Sequence, residues 1–288
     1  MTDATSPTAP FARVTVLGLG VLGAQIALQT AAHGIEVTGY DIDDAALQVG
    51  RGRLEAFASA AATEVADPDA YRAAPAGIRL TADLVDAVEQ ADLVIEAVPE
   101  RLELKREVWA KVGAAAPEST VFATNSSSLL PSAIADATGR PDRFLALHFA
   151  NHIWRQNTAE IMGTPATDTA VADSVEAFAV AIGMVPIRLH KEQAGYVLNS
   201  LLIPFLSAAA QLLVKGVATP ETIDVTWRTA TGAPAGPFQI YDVVGLRTAY
   251  AIASADPRAE AWASYLKEHY LDKGLLGVES GEGFYRYR

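Results

Sequence analysis

The chain of 288 residues contains no cysteine. This absence excludes disulfides, thiolate metal sites and a cysteine nucleophile, and we expect no metal site. Basic residues are also scarce, since 22 Lys and Arg stand against 34 Asp and Glu, giving a formal net charge of −12. A chain this acidic is not expected to bind nucleic acid or an anionic membrane surface, and an anionic substrate would require a local basic patch.

Long apolar runs are missing as well. The most apolar segment, Val197 to Val214, is interrupted by Asn199 and Pro204 among others, and does not reach the ~20 apolar residues that a bilayer requires. It predicts a helix buried in the core of a helical domain, at a subunit interface, or both. Residues 1–11 lack the apolar core of a signal peptide, so we expect a loose tail there and a cytoplasmic protein.

A glycine-rich turn between two strands carries the clearest functional signal. The turn reads Gly18-Leu19-Gly20-Val21-Leu22-Gly23. It follows an apolar strand, opens an apolar helix, and is followed by Asp41 at the end of a second strand, 18 residues after Gly23. In this order the pattern predicts a dinucleotide-binding unit.

Each residue of this unit has a physical role. Gly18 permits the tight turn, Gly20 allows the backbone to approach a pyrophosphate, and Gly23 allows the helix to pack closely on the strand. The helix N-terminus, which includes Leu22, offers free N–H groups to the phosphates. Asp41 would bind the ribose hydroxyls and repel a 2′-phosphate, so the predicted cofactor is NAD rather than NADP.

Strand and helix patterns alternate up to about residue 190, which predicts an α/β fold with a doubly wound sheet. We predict a break after a helix over 44–62, at a segment that contains Pro75. Helical patterns alone follow from Lys191, including one over 241–254. The predicted organisation is therefore a dinucleotide-binding (Rossmann) domain over 1–190 and an all-α domain over 191–288.

A histidine and a glutamate are the candidates for acid–base chemistry. His148 stands at the end of a predicted strand, where ligands gather in open α/β sheets, and Glu160 begins another extended segment. If these strands are neighbours, the carboxylate would hold the imidazole in one tautomer and stabilise its protonated form. A structural role is the alternative for any single histidine of this kind.

Five segments together resemble one family. They are VIEAVPERLELKREVW (94–109), ATNSSSLL (123–130), LHFAN (147–151), GYVLN (195–199) and GEGFYRY (281–287). In order and spacing they resemble the short-chain 3-hydroxyacyl-CoA (3-hydroxybutyryl-CoA) dehydrogenases, from about residue 13 to residue 288. The resemblance implies an NAD-dependent oxidoreductase of fatty acid metabolism, paired as a homodimer through a helical domain that also contributes to the substrate site.

The resemblance also implies roles for individual residues. His148 would be the catalytic base with Glu160 as its partner, and Ser127 and Asn199 would hold the substrate oxygen. The family's cofactor and substrate positions match Glu100 and Lys105 near the nicotinamide ribose, Asn125 beside the cofactor, and Asn151 beside the substrate. The alternatives are that residues 125–128 only cap a helix and that Asn199 only satisfies backbone in a buried helix.

Two departures from the family affect the substrate. Family members hold the CoA phosphates with Ser and Lys residues in the helix after the second strand, whereas 54–71 here contains no Lys or Arg, and only Arg51 and Arg53 precede it. Arg155, seven residues beyond His148, would suit a free carboxylate instead. The leading substrate is a short-chain 3-hydroxyacyl-CoA. The alternatives are a free 3-hydroxy acid, such as a sugar acid or carnitine, or a dinucleotide-binding protein without turnover.

Overall fold

The computed structural model describes residues 9–287, which form two compact units that divide between Val197 and Leu198. The strands of the first unit are β1 (Arg13–Leu17), β2 (Glu36–Tyr40), β3 (Arg79–Thr81), β4 (Leu93–Glu96), β5 (Val121–Thr124), β6 (Phe144–Phe149), β7 (Thr158–Gly163) and β8 (Val185–Arg188). Its helices are α1 (Val21–Ala32), α2 (Asp44–Ala61), α3 (Pro68–Gly77), α4 (Leu84–Val88), α5 (Leu102–Ala115) and α6 (Thr169–Ala181). Three short 3₁₀ turns connect β5 to β6.

All eight strands form one sheet in the order β3-β2-β1-β4-β5-β6-β7-β8. The first six are parallel, β7 runs antiparallel to β6, and β8 is parallel to β7. The strand order reverses between β1 and β4, which is where ligands bind in folds of this kind. The predicted doubly wound, dinucleotide-binding fold is confirmed.

Alternate residues along the central strands fill separate cores on the two faces of the sheet. Val14 and Val16 of β1 belong to the core with α1, α2, α3 and α6. Leu17 and Val94 face the opposite core, where Trp109 of α5 is fully buried. This alternation is expected for a sheet covered by helices on both sides. Because β1, β4, β5 and β6 are parallel, their carboxyl ends lie at one edge of the sheet.

The second unit is helical. Beyond the start of α7 (Tyr196–Val214) it contains α8 (Pro220–Thr231), α9 (Pro237–Val244), α10 (Leu246–Ser254) and α11 (Glu260–His269). Two buried carboxylates connect segments of this unit that are distant in sequence. Asp224 accepts the backbone N–H groups of Phe238 and Gln239 at the start of α9, at 2.9 and 3.0 Å. Asp242 accepts those of Phe284 and Tyr285 at 2.9 Å each, which fixes the C-terminal segment. Burial raises the pKa of Asp242.

Helix α7 is the one helix in the described part of the chain that is long and apolar enough to cross a membrane. Only 17% of its most apolar window is buried within the chain. Leu206 and Ala210 pack into the helical core, whereas Leu201 is 69% exposed and Ile203 41% exposed. A helix in the core of a helical domain would be buried on several sides, and the single chain does not bury α7 in this way.

The structure corrects three further predictions. Phe11 is buried and its ring lies 5.9 Å from that of Phe178, so a loose tail cannot extend to residue 11; residues 1–8 lie outside the described part. The predicted break after α2 contains α3, because Asp67 caps a helix that begins at Pro68. The predicted helix 241–254 is divided into α9 and α10 at Gly245, whose φ is +91°.

The two units also divide later than the boundary expected near residue 190. The segment before α7 is held by the first unit. Glu192 accepts the backbone N–H of Ser132 at 2.7 Å, and the N–H of Gln193 lies 3.1 Å from Sδ of Met162. Residues 191–197 therefore belong to the sheet-containing unit, although no strand passes through them.

Candidate active site

The glycine-rich turn joins β1 to α1 in a conformation that requires glycine at two positions. Gly18 has a φ of +88°, its N–H donates to Tyr40 O at 2.8 Å, and a Cβ there would lie 2.9 Å from Ala97 O. A Cβ on Gly23 would lie 1.8 Å from Gly18 O. The first and third glycines therefore allow the turn to close against the helix and the neighbouring strand.

Gly20 differs from these two glycines, because a Cβ there would meet no atom within 4 Å. It is the N-cap of α1, and among the described residues no side chain caps this helix end. The backbone N–H groups of the first turn, which includes Leu22, are thus available beside an open space. This arrangement fits a dinucleotide pyrophosphate, which requires both close approach to the backbone and a helix N-terminus.

Asp41 stands directly after β2 and is bound to the turn. Its Oδ2 accepts the N–H of Leu19 at 2.9 Å and its Oδ1 accepts that of Ile42 at 2.8 Å. The guanidinium of Arg53 donates to Leu19 O at 3.1 Å. The carboxylate is therefore fixed next to the glycine turn, as recognition of an adenosine ribose requires.

The structure brings His148, Glu160 and Ser127 together. In the antiparallel pair β6–β7, Glu160 lies directly opposite His148. Nδ1 of His148 is 3.0 Å from Oε2 of Glu160, and its Nε2 is 3.2 Å from Oγ of Ser127. A carboxylate only accepts, so Nδ1 carries the proton in this pair and Nε2 is the acceptor. His148 is 5% exposed and Glu160 3% exposed, whereas Ser127 is on the surface.

The turn that carries Ser127 is held from two directions. Oε1 of Glu100 accepts from Oγ of Ser126 at 2.6 Å and from both N and Oγ of Ser128 at 2.8 Å. Oδ1 of Asn125 accepts the backbone N–H of Phe149 at 3.0 Å, which joins the turn to β6. Burial opposes ionisation of Glu100, but the hydrogen bonds from both serines and the nearby Lys105 ammonium lower its pKa to about 2.

Lys105 lies beneath this turn and is 1% exposed. Its Nζ lies 2.6 Å from Oε1 of Glu96 and 3.3 Å from Oε2 of Glu100. Glu96, which was not predicted from the sequence, is fully buried at the end of β4 and also accepts from Oγ1 of Thr124 at 2.7 Å. Lys105 therefore contacts Glu100, which in turn holds the serine turn. The resemblance had assigned both Lys105 and Glu100 to the ribose region.

The segment after β6 carries Asn151 and Arg155. Gln25 is a buried residue of α1 that was not predicted from the sequence, and its Nε2 donates to Oδ1 of Asn151 at 3.0 Å. Oε1 of Gln25 accepts the N–H of His152, whose φ is +59°. Arg155 is turned to the surface, and its ion-pair partner is Glu64 at 3.9 Å. The structure thus places Asn151 against the dinucleotide-binding helix and does not bring Arg155 to His148.

Asn199 is half-buried on α7 and belongs to the second unit. Its predicted contact with the substrate remains a prediction. Another residue of α7, Tyr196, which belongs to the first unit, was not predicted although it lies within the quoted segment 195–199. Its ring stacks on that of His148 at a centroid distance of 4.4 Å. The signal in the sequence was an aromatic residue directly after Gly195, whereas its burial and its positive φ of +53° can be seen only in the structure.

Comparison with known proteins agrees with this geometry. The model of the 3-hydroxyacyl-CoA dehydrogenase NAD-binding domain matches residues 13–193, and that of the C-terminal domain of the same family matches residues 195–287. The human mitochondrial hydroxyacyl-coenzyme A dehydrogenase is 33% identical, covering 96% of this chain and 91% of the relative. A 3-hydroxybutyryl-CoA dehydrogenase of Mycobacterium tuberculosis is also 33% identical, with 96% and 98% covered.

A solved structure resembles the chain more strongly. It is a diketoreductase described by its substrate-directed dual catalysis of dicarbonyl compounds, and it is 60% identical with a TM-score of 0.93. The match covers 96% of this chain and 99% of the other. The resemblance found in the sequence is confirmed by both domains, and the glycine turn with Asp41 fits NAD. The chain belongs to the 3-hydroxyacyl-CoA dehydrogenase family of NAD-dependent oxidoreductases that act on a CH–OH group.

Proposed function

We propose that this chain interconverts a 3-hydroxyacyl and a 3-oxoacyl compound, with His148 as the base for the substrate hydroxyl. The observation that carries the proposal is the continuous contact from Ser127 through His148 to Glu160, at the edge of the sheet where the parallel strands end. When bound, NAD supplies the acceptor for the substrate hydride. The alternative of a dinucleotide-binding protein without turnover does not explain why a buried histidine contacts a buried glutamate on one side and an exposed serine on the other.

The protein groups have distinct tasks in the oxidation. Nε2 of His148 takes the hydroxyl proton, because Nδ1 is already protonated and its N–H is hydrogen-bonded to Glu160. The carboxylate of Glu160 stabilises the imidazolium that forms, and burial of both side chains strengthens this attraction. The hydroxyl of Ser127, 3.2 Å from Nε2, donates to the substrate oxygen once that oxygen loses its proton. In the reduction these transfers are reversed.

The leading substrate is a short-chain 3-hydroxyacyl-CoA such as 3-hydroxybutyryl-CoA, which the names of the curated relatives support. A CoA ester brings several negative charges to a chain with a net charge of −12. Of the two arginines at the start of α2, Arg53 is bound to the glycine turn through Leu19 O. Arg51 is exposed and lines a cleft between α2 and α3 together with Arg72. We therefore expect CoA esters to bind weakly and with strong dependence on salt.

A second candidate is a dicarbonyl or free 3-hydroxy compound without CoA. The 60% identity to a diketoreductase favours it, as does the absence of Lys and Arg between residues 54 and 71. The surface position of Arg155 beside Glu64 gives no support to the specific idea that Arg155 binds a free carboxylate. A small uncharged dicarbonyl compound needs no basic patch, so it agrees better with the acidic surface.

The substrate is tested by NADH absorbance with a matched panel. The panel contains 3-hydroxybutyryl-CoA, its N-acetylcysteamine thioester, free 3-hydroxybutyrate, and a 1,3-diketone assayed in the reducing direction. A CoA enzyme gives a kcat/KM for the CoA ester at least ~100-fold above that for the truncated thioester, because remote binding energy is used in the transition state. Equal values for the two esters, or faster reaction of the diketone, assign a substrate without CoA. No turnover with any member refutes the proposed function.

We also propose a homodimer that covers helix α7. Its exposed apolar residues include Leu201 and Ile203. On α8, Val225 and Trp227 are 59% and 38% exposed, and the ring of Trp227 lies 4.5 Å from that of Phe205 on α7. Large contiguous apolar patches of this kind mark interaction surfaces. Polar residues such as Gln211 on the same helix suit a protein partner better than lipid, in agreement with the cytoplasmic location expected from the sequence.

Light scattering tests this assembly. We expect a mass twice the 30.4 kDa of one chain at micromolar concentration, and a loss of that mass in Leu201→Glu. Val49→Glu is the matched control, because Val49 is an exposed valine of α2 in the first unit. A monomer for the unaltered chain would refute the proposal.

A further inference from the structure

Tyr196, the first residue of α7, contacts the reacting histidine and the turn of its neighbouring serine. Its ring lies almost parallel to that of His148, with an interplanar angle of 10° and a centroid distance of 4.4 Å. Its hydroxyl donates to the carbonyl oxygen of Ser126 at 2.6 Å. The side chain is 1% exposed, so both contacts are made in a closed environment.

The backbone next to this tyrosine reaches the third member of the site. The N–H of Val197 donates to Oε1 of Glu160 at 2.9 Å, while Oε2 of the same carboxylate faces His148. Two successive residues, Tyr196 and Val197, thus contact His148, Glu160 and the residue before Ser127. A φ of +53° at Tyr196 makes this possible, and for a bulky residue such a φ is costly unless its surroundings enforce it.

The hydroxyl of Tyr196 remains protonated and donates its hydrogen to the Ser126 carbonyl. Burial raises its pKa, and the nearby carboxylates of Glu100 and Glu160 raise it further. The hydroxyl is therefore not suited to exchange protons with a substrate at neutral pH. Its contribution is to fix the turn, and that turn determines where Oγ of Ser127 stands relative to Nε2 of His148.

We propose that Tyr196 is a positioning residue, which sets the geometry of the Ser127–His148 pair by stacking on the imidazole and anchoring the Ser126 carbonyl. This inference rests on the proposed function, because it assigns Tyr196 a part in the same reaction. The ring restricts His148 to the orientation in which Nδ1 faces Glu160. The hydroxyl holds the backbone of the turn at the Ser126 carbonyl, while Glu100 holds the side chains of Ser126 and Ser128.

The hydroxyl is tested with Tyr196→Phe, which keeps the stacked ring. We expect kcat to fall about 5- to 10-fold, the size of one hydrogen bond, with the KM for NAD unchanged. Tyr71→Phe is the matched control, because Tyr71 is also buried and its hydroxyl donates to Oε1 of Gln29 at the same 2.6 Å, outside the site. It should lower the melting temperature similarly and leave kcat within 2-fold.

A double-mutant cycle separates positioning from a general structural effect. If Tyr196 acts through Ser127, then Tyr196→Phe should change kcat by less than 2-fold in a Ser127→Ala background. A kcat within 2-fold of the unaltered chain for Tyr196→Phe alone overturns the inference. An equal fall in kcat on Tyr196→Phe in the unaltered chain and in the Ser127→Ala background overturns it as well.

A chemical readout tests the stacked ring independently of turnover. Diethyl pyrocarbonate acylates neutral imidazoles, and peptide mass spectrometry can follow His148 beside the exposed His152 as an internal reference. We expect Tyr196→Leu to raise the rate at His148 relative to His152 at least 5-fold, because the imidazole loses the stacked ring that restricts its orientation and its Nε2 becomes more accessible. An unchanged ratio overturns the stacking role. This result stands even if no substrate of the panel reacts, so it distinguishes failure of the inference from failure of the proposed function.

Discussion

Glu160 faces His148 across the antiparallel strands β6 and β7, with Oε2 of the carboxylate 3.0 Å from Nδ1 of the imidazole. Glu160→Gln keeps an oxygen that can accept from Nδ1 but removes the negative charge. We expect kcat to fall at least ~100-fold, because the imidazolium loses its stabilising partner. NAD affinity, measured by fluorescence titration, should change by less than 2-fold.

Glu118→Gln is the control for this substitution, because Glu118 is an exposed glutamate outside the site. It should leave kcat unchanged. A Glu160→Gln enzyme with near-normal kcat would show that the charge of Glu160 does not take part in the reaction.

The glycines of the turn predict two different outcomes for the same substitution. Gly20→Ala adds a methyl group that meets no protein atom within 4 Å, whereas in Gly23→Ala it would lie 1.8 Å from Gly18 O. We expect Gly20→Ala to keep its melting temperature within about 2 °C and to lose NAD affinity at least ~10-fold, because the methyl group would fill the open space that a pyrophosphate needs for close approach to the backbone. Gly23→Ala should lose stability as well. Calorimetry measures the melting temperature and titration measures the NAD affinity. Unchanged NAD affinity in Gly20→Ala would contradict the assignment of this turn to the pyrophosphate.

Asp41 is expected to determine the choice of cofactor. Asp41→Ala should raise the KM for NAD at least ~10-fold and narrow the preference for NAD over NADP, because the ribose loses its acceptor and a 2′-phosphate is no longer repelled. Asp44→Asn, an exposed acid in the first turn of α2, is the control. Equal or better use of NADP by the unaltered enzyme would refute the assignment.

Glu100 should make the stability of the protein depend on pH. Its pKa is lowered from 4.5 to about 2, so its stabilising effect is present above pH 4.5 and lost as the pH falls toward 2. Urea denaturation should therefore show Glu100→Gln to be less stable than the unaltered chain at pH 7, with a smaller difference at pH 3.5. The same difference at both pH values would mean that the ionised form contributes nothing.

The sequence was sufficient for the features that depend on local pattern. The glycine spacing with Asp41, the alternation of strands and helices, and the pair of His148 and Glu160 at neighbouring strand ends were predicted and are found together. His148 and Glu160 stand opposite each other because a single loop joins β6 to β7 and the two strands pair antiparallel. Parallel strands with buried sides leave clear apolar runs, which explains why the sheet was recognised.

The missed features depend on contacts between distant residues. The sequence pattern does not reveal helix α3, because Pro75 indicates a break, although this proline lies in the last turn of a helix that Asp67 caps. The stacking of Tyr196 on His148 joins residues 48 positions apart and requires a positive φ that no propensity predicts. Buried Glu96 and Gln25 look like ordinary polar residues until the fold surrounds them. The contact of Arg155 with Glu64 likewise follows from the packing of a loop.

The most direct test of the account compares the unaltered chain with His148→Gln in the NADH assay, using the best substrate of the panel. We expect the unaltered chain to turn over, and His148→Gln to lose at least ~100-fold in kcat while NAD affinity stays within 2-fold. Unchanged kcat in His148→Gln would contradict the account, because His148 is the base that contacts both Ser127 and Glu160.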